Sequence, residues 1–299
     1  MNKPLVTVIT PAYNCGKFIW QTMESVLTQD YGSENIQSLL IDDASTDDTK
    51  VVLNRAGFKP DGYIHHMTNQ GEQRTVNEGL RLVKGKYFIV LNGDDVLLPR
   101  AISHLVAFME SHPDVLCAYP DWDSINEDGS FRAHHQTQEF DLSYMVRHNT
   151  WPMSVGTIHK SDVIKLVGYH DESFKYLSDA DYWLRIGLAG RIERVPETLA
   201  CWRHRNGQSS QEKNRQRAQE HVEVIKKLYS GMISVRHRGL ILIEHEALCW
   251  ANLVAAAVTG SKSEMAGYVW KGIKLYPQVL LKLEFWETLA KRASYILRK

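Results

Sequence analysis

The alternation of short apolar runs with helical stripes over the first 120 residues constrains this chain more than any other feature. Leu5-Val6-Thr7-Val8-Ile9 and the runs at 36–41, 63–66, 86–91 and 115–119 read as strands, the first of them stopped by Pro11. Between them, Ile19, Met23, Val26 and Leu27 define a helical stripe within 16–29, and further helices are predicted at 72–84 and 99–112. Such β–α alternation specifies an α/β fold built on a doubly wound sheet flanked by helices. Ligands of these sheets bind beyond the carboxyl ends of the strands. Two acid pairs, Asp42-Asp43 and Asp94-Asp95, fall at such ends.

The second pair lies in Leu91-Asn92-Gly93-Asp94-Asp95, directly after an apolar strand. Adjacent carboxylates repel one another and resist burial unless a cation compensates them. Mg²⁺ and similar hard ions take one or two carboxylates, waters and the oxygens of a phosphorylated substrate. Capping of the helix that starts near Pro99 would also account for acids here. Asp42 or Asp43 could accept a hydrogen bond from a base N–H. Asp47 and Asp48, in Ser45-Thr46-Asp47-Asp48, suit the start of a helix instead.

Other residues suit a nucleotide-linked ligand, each with a plainer role beside it. Tyr13 near the tip of the first strand could stack on a flat base or belong to the core. Arg74, after Asn69-Gln70-Gly71, suits a diphosphate or a solvated helix face. Asp179 falls in the first turn of a helix at 178–189, as a general base or as a cap, and Asp181 and Arg185 stand four apart on that helix. Trp202-Arg203-His204-Arg205-Asn206-Gly207 is a cationic loop suited to closing over a diphosphate or to serving as a linker.

Past residue 120 the pattern changes. Asn126-Glu127-Asp128-Gly129 is a hairpin-type turn, 191–199 reads as a strand, and from about 211 helices are predicted at 213–229, 238–258, 261–275 and 278–297. The expected division is therefore 1–211 and 212–299. Trp122 and Trp151 are candidates for stacking on sugar faces. Lys plus Arg equals Asp plus Glu at 35 each, which gives no reason to expect a nucleic-acid partner. Four scattered cysteines argue against a disulfide framework or zinc site and fit a reducing compartment. The N-terminus reads straight into a strand, with no signal-peptide pattern, and the apolar run 247–258 is too short to span a bilayer. A cytoplasmic chain is expected, with room for peripheral contact at the inner face of a membrane.

Thr10-Pro11-Ala12-Tyr13-Asn14, Asp42-Asp43-Ala44-Ser45-Thr46-Asp47, Asn92-Gly93-Asp94-Asp95, Asp179-Ala180-Asp181-Tyr182-Trp183-Leu184-Arg185 and Arg203-His204-Arg205-Asn206-Gly207-Gln208-Ser209 occur in one order. That ordered set resembles the family 2 glycosyltransferases of GT-A nucleotide-sugar fold, over about residues 4–210. The resemblance implies inverting transfer from a nucleotide-diphosphate sugar to a saccharide or lipid-linked saccharide, with Mn²⁺ or Mg²⁺, in surface polysaccharide or glycoconjugate synthesis. It implies Pro11, Tyr13 and Asp42 or Asp43 around the base, Asp94 and Asp95 as metal ligands, Asp179 as general base, and Arg203, His204 or Arg205 over the diphosphate. Arg74 is carried as a further donor contact, although the family's Arg-Asn pair is Val76-Asn77 here. Asn92 stands where the family's acidic motif usually has its first acid, and Ser178 where a Glu usually precedes the base. A nucleotidyltransferase or nicotinamide enzyme would need a glycine-rich loop after the first strand, which Pro11-Ala12-Tyr13-Asn14-Cys15-Gly16 is not. The alternative of another class is a non-catalytic sugar-nucleotide binding or scaffold protein whose helical tail docks a partner.

Overall fold

A computed structural model describes residues 3–55, 60–234 and 237–287. Its chain divides into two compact units. The first comprises residues 1–140, 152–178 and 185–206, and the second 141–151, 179–184 and 207–299.

The first unit is built on a mixed sheet. Val6–Ala12 (β1), Ile36–Asp42 (β2), Gly62–His65 (β3) and Tyr87–Val90 (β4) are parallel neighbours in the order β3-β2-β1-β4. The sheet continues through Ile158–Lys160 (β8), Val115–Ile125 (β6), Arg191–Arg203 (β9) and Val96–Leu97 (β5), while Phe131–His135 (β7) pairs with β6 alone. β8 runs antiparallel to β4 and β6, whereas β6 and β9 are parallel. The helices Ile19–Leu27 (α1), Thr49–Arg55 (α2), Glu72–Arg81 (α3) and Ala101–Ser111 (α4) follow β1, β2, β3 and β5. Val6 and Val8 from β1, Tyr87 and Ile89 from β4, and Leu105, Val106 and Met109 from α4 join one buried cluster. Every residue of β1 and β2 is buried, as a central parallel pair requires.

Pro11 does not stop β1; it pairs in register with Ile41, and the strand continues to Ala12. Its carbonyl accepts from Gly93 N at 3.0 Å, so the position of its missing N–H faces the 91–93 turn and the β1–β2 ladder loses nothing. β6 and β9 also run past their expected ends at 119 and 199. Their pairing carries register shifts at 115–117 and 120–122, which break the alternation that marks a strand in sequence. The turn at 126–129 does join an antiparallel pair, β6 and β7.

The second unit is helical. Leu142–His148 (α5), Arg215–Lys227 (α8), Arg238–Ile241 (α9), Glu244–Val258 (α10) and Lys262–Leu275 (α11) make up most of it. The helix expected over 238–258 is broken at 242–243. The one expected over 278–297 is a 3₁₀ turn at Pro277–Leu281 and a helix at 283–287, and residues 288–297 lie outside the described residues. Ser178–Ala189 (α7) contributes residues to both units; Asp162–Val167 (α6) precedes it in the first. No helix among the described residues is long and apolar enough to cross a membrane.

Candidate functional site

The carboxyl ends of β1, β2 and β4 carry the candidate residues of the first unit. Tyr13 follows β1 and is 46% exposed. Its neighbour Asn14 adopts a left-handed φ of 52°, accepts from Thr46 N at 2.8 Å through Oδ1, and donates its own N–H to Ser45 Oγ at 2.9 Å. Asp47 accepts from Gly16 N at 2.9 Å and caps α2 through Thr49 N at 3.0 Å. The loops after β1 and β2 are therefore stitched together, which fixes the backbone beneath Tyr13. Ala44 in the second loop has φ 61°, a conformation that costs a residue with a Cβ about 1–2 kcal/mol.

Asp42 and Asp43 are buried, and neither caps α2. Asp42 Oδ1 accepts from Ser45 N at 2.9 Å, and Oδ2 lies 3.1 Å from His65 Nδ1 and 3.4 Å from the Tyr63 hydroxyl. Asp43 accepts from Gln70 N at 2.7 Å and Gly71 N at 2.8 Å. Gly71 presents that N–H with φ 90°, a conformation open to glycine. His66 Nδ1 lies 2.7 Å from Asp43 and Nε2 lies 2.6 Å from Glu78. Burial opposes a charge on His66, but Asp43 and Glu78 outweigh it and raise its pKa. His66 falls inside the strand expected at 63–66, but β3 ends at His65 and His66 turns to Asp43 and Glu78. Arg74, on an exposed stretch of α3, donates to Glu172 at 2.9 Å.

The turn after β4 is held differently. Gly93 packs so closely on β1 that a Cβ there would lie 3.2 Å from both Ala12 Cβ and Cys15 Sγ. Asp94 and Asp95 are 7% and 3% exposed. Asp95 Oδ1 accepts from Arg203 N at 2.9 Å, and Asp94 Oδ2 accepts from Arg205 Nε at 2.5 Å. Burial, then the neighbouring Asp94 charge, pushes the Asp95 carboxyl well above the usual carboxylate range. Burial likewise opposes the Arg205 charge, yet Asp94 raises its pKa.

Arg203 ends β9 with its side chain buried. It donates to the Asp94 carbonyl at 2.8 Å, to the Asn126 and Glu127 carbonyls at 3.1 and 3.2 Å, and to Gln21 Oε1 at 2.5 Å. Its guanidinium also lies 5.1 Å from the centre of the Phe18 ring. It thus ties the acidic turn to the β6–β7 turn and to α1. Of the three cationic residues expected over a diphosphate, Arg203 is committed inward and Arg205 faces the acids. His204 is half-buried, with its N–H on the Ile125 carbonyl at 2.8 Å. Gln21 carried no signal in sequence. Trp122 is half-buried and stacks on His135 at 3.9 Å.

Asp94 and Asp95 offer adjacent carboxylate oxygens, the donor type that suits Mn²⁺ or Mg²⁺, with Arg203 and Arg205 beside them. Among the described residues there is no group of three or more His, Cys, Asp or Glu placed to hold a metal. Two carboxylates with the remaining positions left to water and phosphate oxygens match a cation that arrives with its substrate.

Leu177 is the residue before the first turn of α7, so Asp179 is not the cap. Asp179 lies at the head of that helix with part of its surface exposed and protein crowding its carboxyl, and its Oδ1 accepts from Ala180 N at 2.7 Å. Desolvation by the surrounding protein pushes its pKa up to about 6; Arg217 pulls it down and Glu220 adds to the rise. Asp181 is fully buried, with Lys227 Nζ 2.6 Å away.

A sequence model described as Glycosyl transferase family 2 matches residues 7–164. The UDP-Glc:alpha-D-GlcNAc-diphosphoundecaprenol beta-1,3-glucosyltransferase WfaP of Escherichia coli is 30% identical over 203 residues, covering 65% of this chain and 76% of its own. Among solved structures, S. aureus TarS in complex with UDP-GlcNAc superposes with TM-score 0.66 at 17% identity, over 92% of this chain and 90% of that one. The mannosyltransferase PcManGT of Pyrobaculum calidifontis, in complex with GDP-Man and Mn²⁺, gives 0.64 at 17% identity, over 99% and 81%.

Proposed function

Because this chain belongs to glycosyl transferase family 2, we propose that it moves a hexose from a nucleoside-diphosphate donor to a hydroxyl of a saccharide or lipid-linked saccharide, with inversion. The observation that carries this reading is the buried Asp94-Asp95 pair at the end of β4, held from β9 by Arg203 and faced by Arg205. Two adjacent buried carboxylates repel one another and cost stability even with Arg203 and Arg205 beside them. They become useful when a diphosphate and its cation complete the charge balance.

Tyr13 supplies an exposed ring for the base at the tip of β1. Pro11, Asp42 and Asp43 shape the wall beside it, the acids by fixing the 43–45 and 66–71 backbone. Asp94 and Asp95 would hold Mn²⁺ or Mg²⁺, which when bound supplies positive charge for the departing diphosphate. Arg205 and His204 add donors to the same phosphates, with Arg74 at the α3 side as a further contact. Asp179 accepts the proton of the acceptor hydroxyl as that oxygen bonds to the anomeric carbon. The bond from that carbon to the diphosphate oxygen breaks with its electron pair. One carboxylate suffices, because a single displacement forms no covalent enzyme intermediate. A base with pKa about 6 is ionised at neutral pH yet more basic than an ordinary carboxylate. Sugar-polymer or glycoconjugate assembly is the setting this donor and acceptor chemistry serves.

Asp179→Asn tests the role directly. We expect transfer to fall by at least about 10³-fold, with nucleotide binding kept, and wild-type turnover to decline as pH drops below about 6. Unchanged turnover in the variant would remove Asp179 as the base. The anomeric configuration of the product, read by NMR, decides inversion independently.

A further inference from the structure

The first turn of α7 carries two acids in different surroundings. Asp179 has part of its surface exposed, while Asp181 is fully buried. Two residues along a helix amount to about 200° of rotation, so the two side chains leave α7 on different sides. The first turn of a helix has N–H groups without intrahelical partners and frays unless something holds it. Leu177 precedes α7, and no side chain caps the turn. A tie comes from another helix instead: Lys227 Nζ lies 2.6 Å from the Asp181 carboxylate.

Lys227 is the last residue of α8, and its backbone is well anchored. Leu228 after it is fully buried, Ser230 Oγ donates to the Lys227 carbonyl at 2.9 Å, and the Tyr229 hydroxyl donates to the Leu240 carbonyl at 2.8 Å. Val224 and Ile225 are buried on α8, which packs against α10. At the other end of α8 the Asn214 side chain caps the helix, accepting from Arg217 N at 2.9 Å. Arg217 and Glu220, between these two ends, both act on the Asp179 carboxyl. One firmly held helix therefore faces both acids of the α7 turn. A buried ion pair is a weak source of stability, because desolvation of its ions offsets their attraction. It does fix one helix turn against another. A misplacement of about 1 Å at a reacting group can cost about 10²-fold in rate, so a turn that carries a base has a use for such a contact.

We propose that Asp181 and Lys227 are positioning residues: their ion pair clamps the uncapped first turn of α7 to α8 and fixes the direction of the Asp179 carboxylate. The proposal rests on Asp179 being the base. Nucleotide release by the full chain tests it, in Mn²⁺, with UDP-glucose, UDP-N-acetylglucosamine and GDP-mannose as probe donors and water as acceptor. Lys227→Met lowers kcat about tenfold or more with KM and donor affinity within about twofold, and Lys227→Arg recovers most of the loss. The double variant Asp181→Asn with Lys227→Met leaves no buried charge unpaired at this contact, so its melting temperature returns toward that of the parent while kcat stays low. A parent-like kcat in Lys227→Met or in the double variant overturns the proposal and leaves the pair a matter of stability alone. Asp179→Asn in the same assay separates this from the reading beneath it. Retained release in that variant removes the base, and the clamp with it. Lost release there, beside a parent-like Lys227→Met, removes the clamp alone.

Discussion

Two pairs of adjacent aspartates sit at the ends of parallel strands of one sheet, and their surroundings differ in kind. Asp42 and Asp43 are answered by backbone N–H groups of Ser45, Gln70 and Gly71 and by His65 and His66. Asp94 and Asp95 are answered by one backbone N–H, that of Arg203, and by the charges of the Arg203 and Arg205 side chains, and the Asp95 carboxyl stays well above its ordinary pKa. The first pair uses its charge to shape two loops. The second meets a single backbone N–H and two arginines. Identical dipeptides are thus held mainly by backbone N–H groups and histidines in one place and by arginines in the other, and the difference lies in what the returning segments bring back.

The largest expected effect separates the two pairs by metal. Asp94→Ala with Asp95→Ala should lower turnover by about 10³-fold or more and abolish the dependence of donor affinity on Mn²⁺ in calorimetry. Retained Mn²⁺ dependence would dissolve the contrast. Asp43→Ala should instead cost roughly 2–4 kcal/mol in denaturant unfolding, because Gln70 and Gly71 lose an ionised acceptor and His66 a partner. Its residual donor binding should still respond to Mn²⁺.

The smallest effect sharpens the comparison through pH. His66 has a raised pKa in the folded chain, so the native state binds its proton more tightly than the unfolded state does. Its contribution is complete below the unfolded value of about 6.5 and is lost as pH rises through the folded value. His66→Gln should therefore destabilise by roughly 1–3 kcal/mol at pH 6 and by less at pH 9, as read by unfolding at both pH values. A pH-independent difference would show that His66 acts through packing alone.

The β–α alternation and the positions of both acid pairs were legible because strand ends in a parallel sheet are marked by where apolar runs stop. Arg203 was legible as a cation but not as a buried one. Its burial depends on carbonyls from 94, 126 and 127, segments far from it in the chain. Pro11 inside a ladder was hidden because its lost N–H faces a turn instead of a neighbouring strand. The break at 242–243 interrupts a run whose apolar spacing alone suits one continuous helix. Which acid pair is scaffold was also hidden, since that depends on where the N–H groups of 70, 71 and 203 return.

The contact between Arg203 and the Asp94 carbonyl spans 109 residues. During synthesis the acidic turn leaves the ribosome long before its clasp exists, and the β6–β7 turn must arrive in the interval. A nascent chain short of residue 203 lacks the N–H and guanidinium that hold this turn. The clasp on the acidic turn is therefore closed only once β9 has been made to its final residue.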